Sequence, residues 1–523
     1  MASTVERLFD HPRHLALLCG VIFAFAFAPI GAWLPGLIVL AALTELVARA
    51  PGPRRAFVYG WLFGMGSFTI GLNWIVTAFG YQAEMPAWLG WIAVAGLSAY
   101  LAVWPGLAAA AARLIAGTNR LALVFAMAGC WALGEWLRGW VFTGFPWNPL
   151  GAITLRSQAN PGLAITAQWI GTYGLSALVM LLGGSLLLAW HRRGRDWQTA
   201  LLALGPVALM MMPAPIFQRL PGHLAYTLVQ PDARQDDLHD PNRYEALFQR
   251  AMQLSQAKQP GQTRLVLWPE SGLPDYLHPG YPQAYYAATT YGGDPAMARA
   301  RIGRLIGEGS LLLTGNDQLE VRDGKVVGAR AGIAAIDASG TIRATYAKAH
   351  LVPYGEYVPL KPVLEPLGLA RFVPGDIEFW PGPGPRTLDF GAHGKVGMQL
   401  CYEIIFPGQV TEPGKRPDFI FNPSNDGWYG DWGPPQHLAQ ARLRAVEEGL
   451  PVLRSTTTGI SAVIDADGVV RERIGLLKAE RRDGLVPPAK SPTLFARWGN
   501  SASLVWAMAL LALSLVARRR LRG

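Results

Sequence analysis

The sequence predicts a polytopic α-helical membrane domain with about eight transmembrane helices, joined to one extracytoplasmic α/β domain. Three observations carry that expectation. Of the 523 residues, 51% are hydrophobic and only 16% charged, an unusually apolar balance for a soluble chain. Apolar sequence runs almost unbroken from Leu15 to about Met212 and returns near the end, whereas residues 222–493 alternate short β-rich runs with helical patterns. Basic residues recur in every second short loop.

Seven spans are read in the first segment: Leu15–Ile30, Trp33–Val47, Ala56–Phe79, Ala87–Ala112, Leu121–Trp140, Ala164–Trp190 and Ala200–Met212. An eighth, Leu494–Ala517, follows the α/β region. Several are shorter than the ~20 residues that a bilayer core requires, so their ends are approximate. Arg7 and Arg13 precede the first span; Arg49, Arg54 and Arg55 follow the second; Arg113 and Arg120 the fourth; Arg192, Arg193 and Arg195 the sixth; Arg518, Arg519, Arg520 and Arg522 the last. The loop Gly80–Pro86 instead holds Glu84 and no basic residue. Lys and Arg collect on the cytoplasmic side, which places both termini inside and the α/β domain outside. The first span is expected to stay uncleaved, because apolar sequence continues into further spans. These loops account for most of the net charge of +10, so nucleic-acid binding is not needed to explain it.

The α/β domain follows from period and length. β-rich runs lie at His223–Gln230, Thr263–Glu270, Ser310–Asn316, Ala331–Asp337, Val396–Cys401, Asp418–Asn422 and Pro451–Val463. Helical patterns fit Asn242–Lys258, Pro295–Ile306 and Gln436–Glu448. The expected division is 1–221 for seven membrane helices, 222–493 for the α/β domain, and 494–523 for the last helix and a basic tail.

Of three cysteines, Cys19 and Cys130 fall in expected spans and Cys401 alone in the outer domain, without a disulfide partner there. A thiol is mostly protonated at neutral pH and needs a base or a cation to become a nucleophile. Glu270, in Leu267-Trp268-Pro269-Glu270-Ser271, is the candidate base. Addition to an ester or amide carbonyl builds negative charge on oxygen, for which Lys348, in Tyr346-Ala347-Lys348-Ala349-His350, is the candidate donor, helped by a backbone N–H after Cys401.

This Glu, Lys, Cys order and its local sequences resemble the nitrilase superfamily. A second set of motifs resembles its membrane-embedded branch, the apolipoprotein N-acyltransferases: Thr143-Gly144-Phe145-Pro146-Trp147; His350 to Pro359, which holds Glu356; Cys401-Tyr402-Glu403; Ser424 to Gly430, which holds Trp428; Arg442 to Glu447; and Arg454-Ser455-Thr456. The resemblance implies an α-β-β-α sandwich, with Cys401 as nucleophile, Glu270 as base, Lys348 at the oxyanion, and Glu356, Tyr402 and Glu403 in support. It implies an enzyme of the bacterial cytoplasmic (inner) membrane that moves an acyl chain from a phospholipid, through a cysteine thioester, to the α-amino group of a diacylated apolipoprotein. No cofactor and no metal is implied, and a monomer is expected. His239 stands where the resemblance leads one to expect Trp.

Candidate substrate contacts also follow from chemistry. Leu364, Leu367 and Phe372 lie in an apolar stretch, Pro359–Phe372, that suits either an arm in the outer leaflet or a loop on the domain's own core. Glu135 and Arg138, one helical turn apart near the outer end of span five, suit a structural ion pair or a phospholipid head group. Two competing functions stay open from sequence: a membrane-anchored amidohydrolase, in which water accepts the acyl group, and a transporter with an outer binding domain, which leaves the triad unexplained.

Overall fold

The structure is a computed structural model, and it describes residues 6–7, 9–81, 86, 88–192, 194, 196–215, 222–238, 240–259, 261–364, 366 and 377–520. Packing divides the chain into two units that are discontinuous in sequence: residues 1–216, 429–448 and 492–523, and residues 217–428 and 449–491. The sequence reading instead cuts at 221 and 493. The segment that departs from it is the helix Gly433–Glu448, whose Leu443 and Val446 join the apolar core of the helical unit.

Among the described residues, four helical segments are long and apolar enough to cross a membrane: Trp88–Ala116, Arg120–Arg138, Leu163–Arg192 and Ser501–Arg519. Pro12–Ala24 and Trp197–Met211 are apolar but shorter. Several expected spans are interrupted. The third is a helix Pro53–Gly71 that breaks at Leu72 and resumes as Ile75–Gly80. The last is split by Gly499 (φ 57°) into Leu494–Trp498 and Ser501–Arg520. Helix contacts are very close: a Cβ on Gly20 would lie 2.0 Å from the carbonyl oxygen of Phe63, so glycine is what lets these backbones touch. At one end of the bundle Glu45, fully buried, binds Arg49 (2.6 Å), Arg120 (2.9 Å) and His191 (3.0 Å), tying three helices together.

The helix Ala167–Arg192 contains a break. Gly171 has φ 68° and ψ 173°, which ends one helical run and starts another. The backbone groups freed there are satisfied from elsewhere in the unit: Thr172 N donates to Glu447 Oε1 at 2.6 Å, and Ser503 Oγ donates to Ile170 O at 2.6 Å. Arg444, also buried, holds the other Glu447 oxygen at 2.9 Å.

In the α/β unit, two six-stranded sheets face each other. One runs Glu480–Leu485, Ala225–Gln230, Leu265–Leu267, Leu311–Gly315, Gly332–Asp337, Ile342–Ala347; the other runs Arg386–Asp389, Lys395–Met398, Phe419–Ser424, Val452–Thr456, Ser461–Ile464, Val470–Ile474. The three strands from Ala225, Leu265 and Leu311 pair in parallel, as do those from Lys395, Phe419 and Val452. Strand period decides the layers. Leu228, Leu265, Leu267, Leu311 and Leu313 pack with Met398, Phe421 and Leu453 between the sheets, while Val229, Val266 and Leu312 point the other way onto the helices Tyr244–Leu254 and Pro295–Ile306. Both faces of the first sheet are thus covered, which is why its strands read as continuous apolar runs.

Candidate active site

Three charged or nucleophilic residues lie just beyond strand carboxyl ends, where sheets of this kind gather functional groups. Leu265–Leu267 leads through Trp268-Pro269 to Glu270, Ile342–Ala347 leads directly into Lys348, and Lys395–Met398 leads through Gln399-Leu400 to Cys401. Cys401 opens a short 3-10 turn, Cys401–Ile405, with φ at 51°, a strained value for a residue with a side chain.

The geometry joins them. The Cys401 thiol is hydrogen-bonded with Glu270. Glu270 Oε1 lies 3.6 Å from Lys348 Nζ, and Glu270 Oε2 accepts from the backbone N–H of Asn425 at 2.8 Å. Lys348 Nζ also donates to Glu356 Oε1 at 2.6 Å, and Glu356 Oε2 accepts from Val352 N at 2.7 Å. Lys348 is only 1% exposed. Burial works against its charge, but Glu356 and Glu270 outweigh burial and hold its pKa above the ordinary lysine range. For Cys401, burial and then the Glu270 charge push the thiol up while Lys348 pulls the other way, so the resting group is a thiol.

Glu403 clasps two loops. Its Oε1 accepts from Ala349 N (2.7 Å), His350 N (3.2 Å) and the Tyr346 hydroxyl (2.8 Å), and its Oε2 accepts from Leu400 N at 2.7 Å. The neighbours of Lys348 and Cys401 are thereby fixed to one carboxylate. Burial raises Glu403 to about 7, with these donors opposing. Tyr402 is buried and packs edge-on against Phe406 at 5.2 Å, and Phe406 stacks on His350 at 4.2 Å.

Other expected residues lie elsewhere. Trp428 is partly buried in the turn Asp426–Tyr429. In the helical unit, Glu135 Oε1 accepts from Trp131 Nε1 (3.1 Å) and Leu150 N (2.8 Å), and Arg138 donates to Trp147 O (3.0 Å), so both fasten the turn around Trp147–Leu150. Leu364 ends a short helix, Lys361–Leu364, whereas His239, Leu367 and Phe372 lie outside the described residues.

Comparison with known proteins gives the family. The profile of the apolipoprotein N-acyltransferase N-terminal domain matches residues 19–185, and that of carbon-nitrogen hydrolases matches residues 228–478. An apolipoprotein N-acyltransferase of Rhodopseudomonas palustris is 33% identical over 97% of this chain and 95% of its own. The chain belongs to the apolipoprotein N-acyltransferase family. Another member, from Allorhizobium ampelinum, is 36% identical over 87% of this chain and 86% of its own. Among solved structures, a mutant of an amidase from the nitrilase superfamily of Nesterenkonia AN1 aligns with 51% of this chain and 92% of its own, at 18% identity and a TM-score of 0.35.

Within this acyltransferase family member, sequence reasoning overlooked four site neighbours. Asp317 follows the strand Leu311–Gly315; its side chain reaches solvent, yet the protein packed around it, and then the charges of Glu270 and Glu356, lift its carboxyl to about 7. Asn422, Asp426 and Arg454 form a buried polar group beside Cys401, with the Asn422 amide nitrogen donating to Cys401 O at 3.3 Å. An Asp directly after a strand-end Asn was a visible signal for the first. For Asp426 and Arg454 the only signal was their place in the motifs already quoted, and Asn422 stood only as the end of a β-rich run.

Proposed function

We propose that this chain takes a fatty acyl group from a phospholipid, holds it as a thioester on Cys401, and passes it to the α-amino group of diacylglyceryl-cysteine at a lipoprotein N-terminus. The observation that carries the proposal is the Cys401 thiol hydrogen-bonded with Glu270, whose carboxylate lies 3.6 Å from the buried Lys348 ammonium. The relatives' name supplies the acceptor class.

In this reading Glu270 takes the thiol proton as sulfur attacks the ester carbonyl, so a bare thiolate never has to persist in the buried site. The oxyanion is met by Lys348 and a backbone N–H following Cys401. Collapse breaks the ester C–O bond, and the departing glycerol oxygen receives the proton from Glu270, releasing a lysophospholipid. The acceptor amine then attacks the thioester carbon, gives its proton to Glu270 and becomes an amide, while Cys401 sulfur leaves and regains a proton. Glu356 and Glu403 support the reaction by holding Lys348 and the two loops.

The remaining parts of the proposal are an eight-span monomer in the bacterial inner membrane, with the α/β unit outside and both termini in the cytoplasm. The basic loops support that orientation, Arg49 and Arg120 among them. The deciding experiment is intact-mass measurement of purified protein mixed with phospholipid. The expected result is one acyl adduct on Cys401, discharged by a diacylglyceryl-cysteine peptide. Discharge at the same rate by water alone would make the protein a hydrolase.

A further inference from the structure

A strained nucleophile turn persists only where its surroundings over-determine it. At Cys401 Glu403 supplies one part of that constraint through Leu400 N, and another part traces back to a buried cation. Arg454, in the strand Val452–Thr456, has no exposed surface. Its Nη2 donates to both Asp426 oxygens, at 2.6 and 2.8 Å, and its Nη1 donates to Asn422 Oδ1 at 2.5 Å and Ser424 Oγ at 2.8 Å. Asn422 then spends its amide nitrogen on the carbonyl oxygens of Gln399 (2.7 Å) and Cys401 (3.3 Å).

The chemistry fixes the direction. A guanidinium only donates, so the Asn422 oxygen must face Arg454 and its nitrogen must face the two carbonyls. Those carbonyls bracket the left-handed step at Cys401. On its other arm Arg454 holds Asp426, and the preceding residue, Asn425, gives its N–H to Glu270 at 2.8 Å. One planar fork therefore fixes both the sulfur-bearing turn and the donor that orients the carboxylate. A lysine keeps the charge, but its ammonium cannot meet all these acceptors in one plane.

We propose that Arg454 is a positioning residue for acyl transfer, acting on Cys401 through Asn422 and on Glu270 through the Asn425-Asp426 turn. The inference rests on Cys401 being the nucleophile. Its test uses the full-length protein in phospholipid and detergent micelles, with Cys401→Ala as a parallel control. In Arg454→Lys the rate constant for acylating Cys401 is expected to fall roughly tenfold to hundredfold. The KM for phospholipid should stay within about twofold.

Arg454→Met/Asp426→Asn removes both charges together and serves where the lysine variant does not fold. It should acylate as slowly, while the pH midpoint for Cys401 alkylation by iodoacetamide stays near the parent's. Acylation within about twofold of the parent in whichever variant folds overturns the proposal, as does a loss that appears only as raised KM. If neither variant folds, Arg454 is a folding residue and the proposal is likewise overturned. Residual acylation in Cys401→Ala refutes the nucleophile itself, which is a separate failure.

Discussion

Replacing Lys348 with Met keeps the length of the stem and deletes the charge that three groups share. Its Nζ lies 2.6 Å from Glu356 and 3.6 Å from Glu270, contacts worth about 5–6 kcal/mol each in gross Coulomb attraction at an effective dielectric near 20, before desolvation is subtracted. Removing one partner of such a buried set leaves carboxylates without their cation, at a cost of about 3–5 kcal/mol in stability. Glu356 is the more affected, since burial already lifts its pKa and Lys348 is what holds it down. Loss of the oxyanion donor alone is worth about 10²–10³ in rate. Acyl-enzyme formation in Lys348→Met, followed by intact mass against time, should therefore fall at least about a hundredfold. A variant that folds and acylates within about tenfold of the parent would remove Lys348 from the chemistry.

Cys401→Ala should abolish acylation while the protein still folds, and Cys401→Ser should leave at most a trapped ester; N-acylation by the alanine variant would end the covalent scheme. Phospholipid alone should yield a lysophospholipid and an acylated Cys401 before any acceptor is added, so a strict requirement for acceptor would count against a standing thioester. Because burial and Glu270 raise the Cys401 thiol, alkylation by iodoacetamide should be slow at pH 7 and accelerate as pH rises past the usual thiol range; a plateau already reached at pH 7 would contradict the site's electrostatics. Glu447→Ala should lower the melting temperature of the helical unit through loss of the bond to Thr172 N, a cap worth about 0.5–2 kcal/mol, and an unchanged melting curve would mean that other groups fill the break.

How far the sequence could be read depended on how local each signal was. Glu270 and Cys401 stood out because each sits in a short string at the end of an apolar run, and a run of that kind carries its own direction, whereas Lys348 stood out only by the short motif that holds it. The two faces of Ala225–Gln230 were not separable in the sequence, because both are buried and no clean alternation marks them. The pairing of Arg454 with Asp426 was not legible, because it depends on the parallel pairing of Val452–Thr456 with Phe419–Ser424, which brings the turn after the second strand to a residue 28 positions away in the chain. The helix Gly433–Glu448 misled for another reason. Gln436, Gln440, Arg444, Glu447 and Glu448 are polar residues of the kind that usually face solvent, yet all are buried, and composition gives no hint of that. The helix breaks were hidden too, since one glycine at positive φ among many ordinary ones leaves no mark on hydropathy.

The break at Gly171 has a consequence for how the protein is made. A ribosome delivers Ile170 and Thr172 to the membrane long before it delivers Glu447 and Ser503, the residues that answer their free backbone groups. During that interval the sixth apolar segment holds an open carbonyl and an open amide in or near lipid, so it is held back from its final form by chain not yet synthesised. Biogenesis of the helical unit is thus completed from its carboxyl side, and a nascent chain stalled before residue 447 should carry that segment exposed to proteases and insertion chaperones that the finished protein no longer meets.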